Sequence, residues 1–186
     1  MLILILSHTR CGSTTLCKWL SKELNIDLDE SPYDFETFNL VFESNNIIRK
    51  IVVEEYYPTK EEINKFDKVI CLSRENNIDT AISFINADNK GIWHDIYEIT
   101  NEWINNNKNK IIETAHKYEH LKNRLKNKNL FQITYENMYI DKTDVNRVIS
   151  YLNIENPKHL DMLDYDKKYR KDTYTLTYDI KRKYII

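Results

Sequence analysis

The stretch Leu2-Ile3-Leu4-Ile5-Leu6-Ser7-His8-Thr9-Arg10-Cys11-Gly12-Ser13-Thr14-Thr15-Leu16 decides how this chain folds. Its first part is an unbroken aliphatic run, the pattern of a strand buried on both faces of a parallel sheet. Its second part holds one of only two glycines in 186 residues, followed by three hydroxyl side chains. Glycine tolerates the backbone angles of a tight turn and lets main-chain N–H groups approach a ligand, while a following helix points its positive end at the same spot. A buried strand, a glycine turn carrying Arg10, and a helix together predict a cradle for phosphate or sulfate.

Working outward, Leu16, Trp19, Leu20 and Leu24 share one face of a helix spanning Ser13–Leu24. Residues 25–44 are irregular, aromatic and acidic; residues 47–54 read as a second strand. Thr59-Lys60-Glu61-Glu62 has the form of a capping box opening a short helix, and Lys68–Ser73 is a third strand. Residues 78–85 are helical, and residues 93–128 form a long helical stretch that breaks at Asn105-Asn106-Asn107, where apolar positions lapse. Residues 130–135 make a fourth strand and Thr143–Leu152 an amphipathic helix. The charged, tyrosine-rich end of the chain receives no assignment. Strands alternating with helices predict an α/β fold, three-layer α/β/α around a central, mainly parallel sheet. No linker or repeat divides it, so residues 1–186 are expected to form one domain, with a core at 1–153 and a charged segment at 154–186.

With 41% hydrophobic residues, a chain of this length buries on the order of 70% of its unfolded surface. The formal net charge is -2, from 27 basic and 29 acidic residues, which argues against general nucleic-acid or membrane-surface binding, since those need excess positive charge. The N-terminal apolar run is too short for a membrane span and lacks signal-peptide flanks, so a cytoplasmic protein is expected. Cys11, Cys17 and Cys71 are odd in number and lack metal-ligand spacing, which predicts reduced thiols and no zinc. The abundance of Asn, Lys and Ile reads as genomic base composition rather than function.

Two familiar anion loops fail to fit. The ATP-binding P-loop needs a lysine at its end, and Lys18 is a turn too late. A phosphatase loop that began at Cys11 would require arginine at position 17, where Cys17 stands. What remains is arginine, any residue, glycine, then hydroxyl residues and leucine after a buried strand. This resembles the 5′-phosphosulfate loop of the sulfotransferase family, usually Pro-Arg-Ser-Gly-Thr/Ser-Thr-Leu, with Thr9 where proline is common and Cys11 where serine or threonine is common. A second stretch, from Val69 to Ser83, is similar to the family's strand ending in arginine and followed by a helix with a serine. Arg74 and Ser83 are the matching positions, one residue further apart than in the commonest cytosolic members. A third, Phe131-Gln132-Ile133-Thr134-Tyr135-Glu136-Asn137-Met138, resembles the family's late strand ending in Tyr-Glu-Asp-Leu, where Tyr135 and Glu136 would be chiefly structural.

The resemblance implies a P-loop NTPase-like sulfotransferase topology and, as co-substrate, 3′-phosphoadenosine 5′-phosphosulfate (PAPS), released as the 3′,5′-bisphosphate PAP. It implies that Arg10, the amides from Cys11 through Gly12 to Thr15, and the hydroxyls of Ser13 and Thr14 hold the sulfuryl end, and that Arg74 and Ser83 hold the 3′-phosphate. Fixed positive groups would take the place of a metal, so none is expected. By the same resemblance the base is a carboxylate about twenty residues beyond Arg10, best matched by Glu30, with Asp29 and Glu36 as neighbouring alternatives. His8 would line the site without being the base. The acceptor is a hydroxyl of a small molecule, glycan or tyrosine peptide, and Tyr33, Phe35 and Phe38 are candidates to line its pocket. The basic run Lys167-Lys168-Tyr169-Arg170-Lys171 lies where the family closes a loop over the 3′-phosphate, but it lacks the usual Lys-Gly and tryptophan pattern, and a solvated charge run accounts for it better. The rival readings are a kinase-like nucleotide enzyme and a PAP-binding module without catalysis.

Overall fold

The computed structural model describes residues 1–29, 45–54, 56–91, 99–126 and 129–169, the last five as backbone alone. Strand β1 (Leu2–Ser7) is the middle of five: β2 (Asp27–Asp29), β3 (Ile47–Val52), β4 (Lys68–Ser73) and β5 (Phe131–Thr134) complete a sheet ordered β2-β3-β1-β4-β5. Its four pairings are all parallel. The aliphatic run dictates that position, because Ile3, Leu4, Ile5 and Leu6 are all at 0% exposure and only a central strand is covered on both faces.

Alternation along β1 divides the core in two. Ile3 and Ile5 meet Leu16, Trp19 and Leu20 of α1 (Ser13–Leu24) and Val145, Val148 and Leu152 of α5 (Thr143–Leu152). Leu4 and Leu6 meet Ile78, Ala81 and Ile82 of α3 (Asn77–Lys90) and Ile111, Tyr118 and Leu125 of α4 (Asn101–Lys126). The result is the expected three-layer α/β/α arrangement. The short α2 (Lys60–Ile63) opens with the capping box read from the sequence: the Thr59 hydroxyl accepts from the Glu62 N–H, and the Glu62 carboxylate accepts from the Thr59 N–H.

Three elements differ from expectation. β2 lies in a segment read as irregular; it is three residues long and polar at both ends, too short for an alternating pattern. α4 runs unbroken through Asn105-Asn106-Asn107, because Ile104 and Ile111 keep the buried stripe going across a seven-residue step. Those asparagines face outward, and the Asn107 side chain donates to the Trp103 carbonyl at 2.8 Å. Beyond α5, a 3-10 helix (Leu160–Tyr169) tucks Leu163 into the core. The Glu23 carboxylate fastens it to α1 by accepting the N–H groups of Lys158 at 3.0 Å and His159 at 2.5 Å.

The connections locate a crevice. The chain leaves β1 toward β2 and leaves β4 toward β5, in opposite directions, and ligands of open α/β sheets lie beyond the carboxyl ends of strands that diverge in this way. No helix of the described residues is long and apolar enough to cross a membrane. Burying a leucine contributes about 1.5–3 kcal/mol, and truncation adds a cavity. Leu4→Ala is expected to lower stability by about 2–5 kcal/mol in urea unfolding, whereas Lys18→Ala, on the exposed side of α1, should stay within about 0.5 kcal/mol.

Candidate functional site

The loop from β1 to α1 turns through two left-handed residues, Arg10 (φ 64) and Gly12 (φ 82). Gly12 is also the residue before the first turn of α1, which has no side-chain cap and no acidic residue, so nothing in that turn sets a negative charge against the positive end of the helix. A side chain at Gly12 has no room: a Cβ there would lie 2.7 Å from Tyr139 Cε2 and 3.0 Å from Tyr135 Cδ2. The Tyr139 hydroxyl donates to the Gly12 carbonyl at 2.7 Å. Tyr135 caps, and Tyr139 lies within, a π-helical turn (Glu136–Ile140) that follows β5, so the stretch that begins with the third sequence motif closes on the first.

The arginines share one neighbourhood. Arg10 Nε donates to the Ser83 hydroxyl at 2.8 Å, and Arg74 Nη1 donates to the Arg10 carbonyl at 3.4 Å. The resemblance grouped Ser83 with Arg74 at the 3′-phosphate; in the structure its hydroxyl accepts from Arg10. Arg74 is held from behind: Asp79 lies 3.5 Å from Nη2, Glu136 4.0 Å from Nε, and the Tyr135 ring centroid 4.5 Å from its guanidinium carbon. Glu136 also accepts the N–H groups of Glu75 at 2.9 Å and Asn76 at 3.2 Å at the entry to α3. Tyr135 and Glu136, read as structural, thus buttress Arg74.

The two departures from the family loop have local explanations. The Thr9 N–H and hydroxyl both donate to Glu54 Oε1, at 2.8 and 2.6 Å, and proline could make neither bond. Cys11 is completely buried and its thiol donates to the His8 carbonyl at 2.8 Å. Burial pushes that thiol up to about 12, so it stays protonated and inward, and Cys11 has only its backbone to offer a ligand. Cys17 is likewise buried and pushed up to about 12, and all three cysteines are unbridged.

Ser13 is buried, while Thr14 and Thr15 are half-buried on the first turn of α1. Sequence reasoning missed Lys50: from β3 its Nζ donates to the Thr14 hydroxyl at 3.2 Å, which brings a third cation to the loop. Glu54 was missed too. Both positions follow from register, since β1 and β3 pair Ile5 with Lys50, and Thr9 meets Glu54 at the same 45-residue separation past the strand end. A cation and an acid near the end of a predicted strand were visible, but the register was not.

Of the carboxylates named as base, Glu30 and Glu36 lie outside the described residues. So do Tyr33, Phe35, Phe38, Arg170 and Lys171. Asp29 ends β2 and is engaged by Arg49, at 2.8 Å from Nε and 2.5 Å from Nη2.

No family model matches the chain, and no curated protein matches it. Among solved structures it is similar to mouse sulfotransferase SULT7A1 complexed with PAP, at TM-score 0.51 and 20% identity, covering 89% of this chain. The chain has the sulfotransferase fold. It spans 63% of that structure's length, so over a third of the neighbour has no counterpart here.

Gly12→Ala tests the loop directly. Strain at positive φ costs about 1–2 kcal/mol, and the contact with Tyr139 adds to it. In urea unfolding, Gly12→Ala combined with Tyr139→Ala should therefore be less destabilised than the two single changes predict together.

Proposed function

We propose that this chain binds PAPS at the β1–α1 loop and transfers its sulfuryl group to an acceptor hydroxyl. The observation that carries the reading is the meeting of Arg10 with Ser83, backed by Arg74, around the uncapped start of α1. The donors suit an anionic co-substrate: two guanidinium groups, an ammonium, hydroxyls and the amides at the start of α1. The fold neighbour's complex with PAP points the same way.

In the transfer, the acceptor oxygen attacks sulfur in line, the bond from sulfur to the bridging oxygen breaks, and negative charge collects on the departing phosphate. Arg10, Lys50 and the amides of Gly12 to Thr15 stabilise that charge in place of solvent. The acceptor proton passes to a carboxylate, a step worth roughly 10²–10⁴-fold in rate. We assign it to Glu30; Asp29, the nearest alternative, is already committed to Arg49. The acceptor is a hydroxyl of a small molecule, glycan or peptide.

Calorimetry is expected to show binding of PAP and none of ATP. Arg10→Ala and Arg74→Ala should each weaken PAP binding by about tenfold or more, as loss of a charged hydrogen bond does; full affinity in both variants would remove the assignment. With labelled PAPS and a panel of sugars, phenols and tyrosine peptides, Lys50→Met should cut turnover by about 10²-fold with a smaller effect on affinity. Glu30→Gln should bind PAP normally and turn over nothing, and continued turnover would place the base elsewhere.

A further inference from the structure

His8 has no part in the transfer just described, yet it is completely buried at the crevice, between the diverging ends of β1 and β4. Each ring nitrogen faces a backbone group. Nε2 accepts the Arg74 N–H at 3.0 Å, which leaves Nδ1 to carry the proton and donate to the Thr9 carbonyl at 2.9 Å. The ring packs on Tyr118 of α4, with centroids 5.2 Å apart. Arg74 is the first residue past β4, where the ladder with β1 has ended at the pairing of Ser7 with Leu72. An imidazole therefore replaces the missing ladder bond and fixes where the Arg74 backbone leaves the sheet.

We propose that His8 is a positioning residue: its neutral ring holds the Arg74 main chain against the start of the anion loop, so that the guanidinium meets the Arg10 carbonyl. Its relevance to nucleotide binding rests on the sulfotransferase reading, but the contact itself does not. Charge on the ring undoes the arrangement. A protonated Nε2 becomes a donor facing the Arg74 N–H, with the Arg74 guanidinium nearby.

The surroundings set the pH at which this happens. Burial holds the His8 pKa below its ordinary 6.5; Arg74 pushes the same way, while the Thr9 carbonyl, Glu54 and Glu136 oppose it. From α4 the Tyr118 phenol packs on the ring and burial keeps it protonated, Lys122 of the same helix is turned to the Glu75 carbonyl, and from the loop the Cys11 thiol is also neutral. For a histidine lowered by folding, the unfolded chain takes up the proton first. The contribution is complete above about pH 6.5 and is lost as the pH falls through the lower folded value.

The test compares wild type, His8→Gln, whose side-chain oxygen can take the place of Nε2 and does not titrate here, and His8→Leu, which cannot accept. Exchange of the Arg74 amide, read by NMR in the ligand-free protein and corrected for intrinsic rate, should be about tenfold faster in His8→Leu, with the Ile5 and Ile70 amides unchanged. In wild type it should quicken as the pH falls below 6.5; in His8→Gln it should stay protected throughout. Equal Arg74 protection in His8→Leu and wild type, or the wild-type pH response persisting in His8→Gln, would overturn the proposal. Should His8→Leu not fold, the comparison of His8→Gln with wild type decides alone. PAP affinity is measured alongside. If wild type fails to bind PAP while the amide behaves as expected, the sulfotransferase reading falls and the His8 contact stands.

Discussion

A guanidinium held at the end of β4 fastens the carboxyl ends of three strands together. Arg74 reaches the loop after β1 through the Arg10 carbonyl, rests on Tyr135 and Glu136 just past β5, and meets Asp79 in the first turn of α3. A half-buried cation is best tolerated when its charge is answered on several sides. Here the answers come from each element that borders the crevice. The loop therefore depends on more than its own sequence, because its strained angles at Arg10 and Gly12 are held by groups from the far end of the sheet.

Compensation of this kind has a chemical side. With Asp79 and Glu136 nearby, Arg74 is partly neutralised before any ligand arrives, while Arg10 meets the Ser83 hydroxyl and Lys50 the Thr14 hydroxyl. At the helix start, fixed N–H dipoles add to the positive charge that Arg10 and Lys50 bring to the loop.

What was legible in the sequence was whatever a single local pattern could encode. The aliphatic run of β1, the stripe of α1, the capping box at Thr59 and the amphipathic period of α5 all appear where local reading put them, because each is specified by residues within a turn or two. β2 was invisible because three residues carry no period. The unbroken α4 was misread because exposed asparagines were weighed above the seven-residue spacing of Ile104 and Ile111. Within the candidate site, Arg10 and Gly12 stood out by chemistry and placement, and Arg74 and Ser83 through the family resemblance. Lys50, Glu54 and the two faces of His8 did not, since their partners are fixed by strand register and by crossings between distant parts of the chain.

Tyr139 donating to the Gly12 carbonyl joins residues 127 positions apart. That span has a kinetic meaning. On a ribosome the strand, the turn and the first helix are made early, but the clamp that shapes the turn is absent until nearly three-quarters of the chain has been translated. Closing so wide a loop also carries an entropic cost that slows assembly relative to proteins built from neighbouring contacts. The β1–α1 loop should thus be among the last parts of the molecule to mature, so that nascent chains released too soon would keep their sheet nucleus and lack a finished turn.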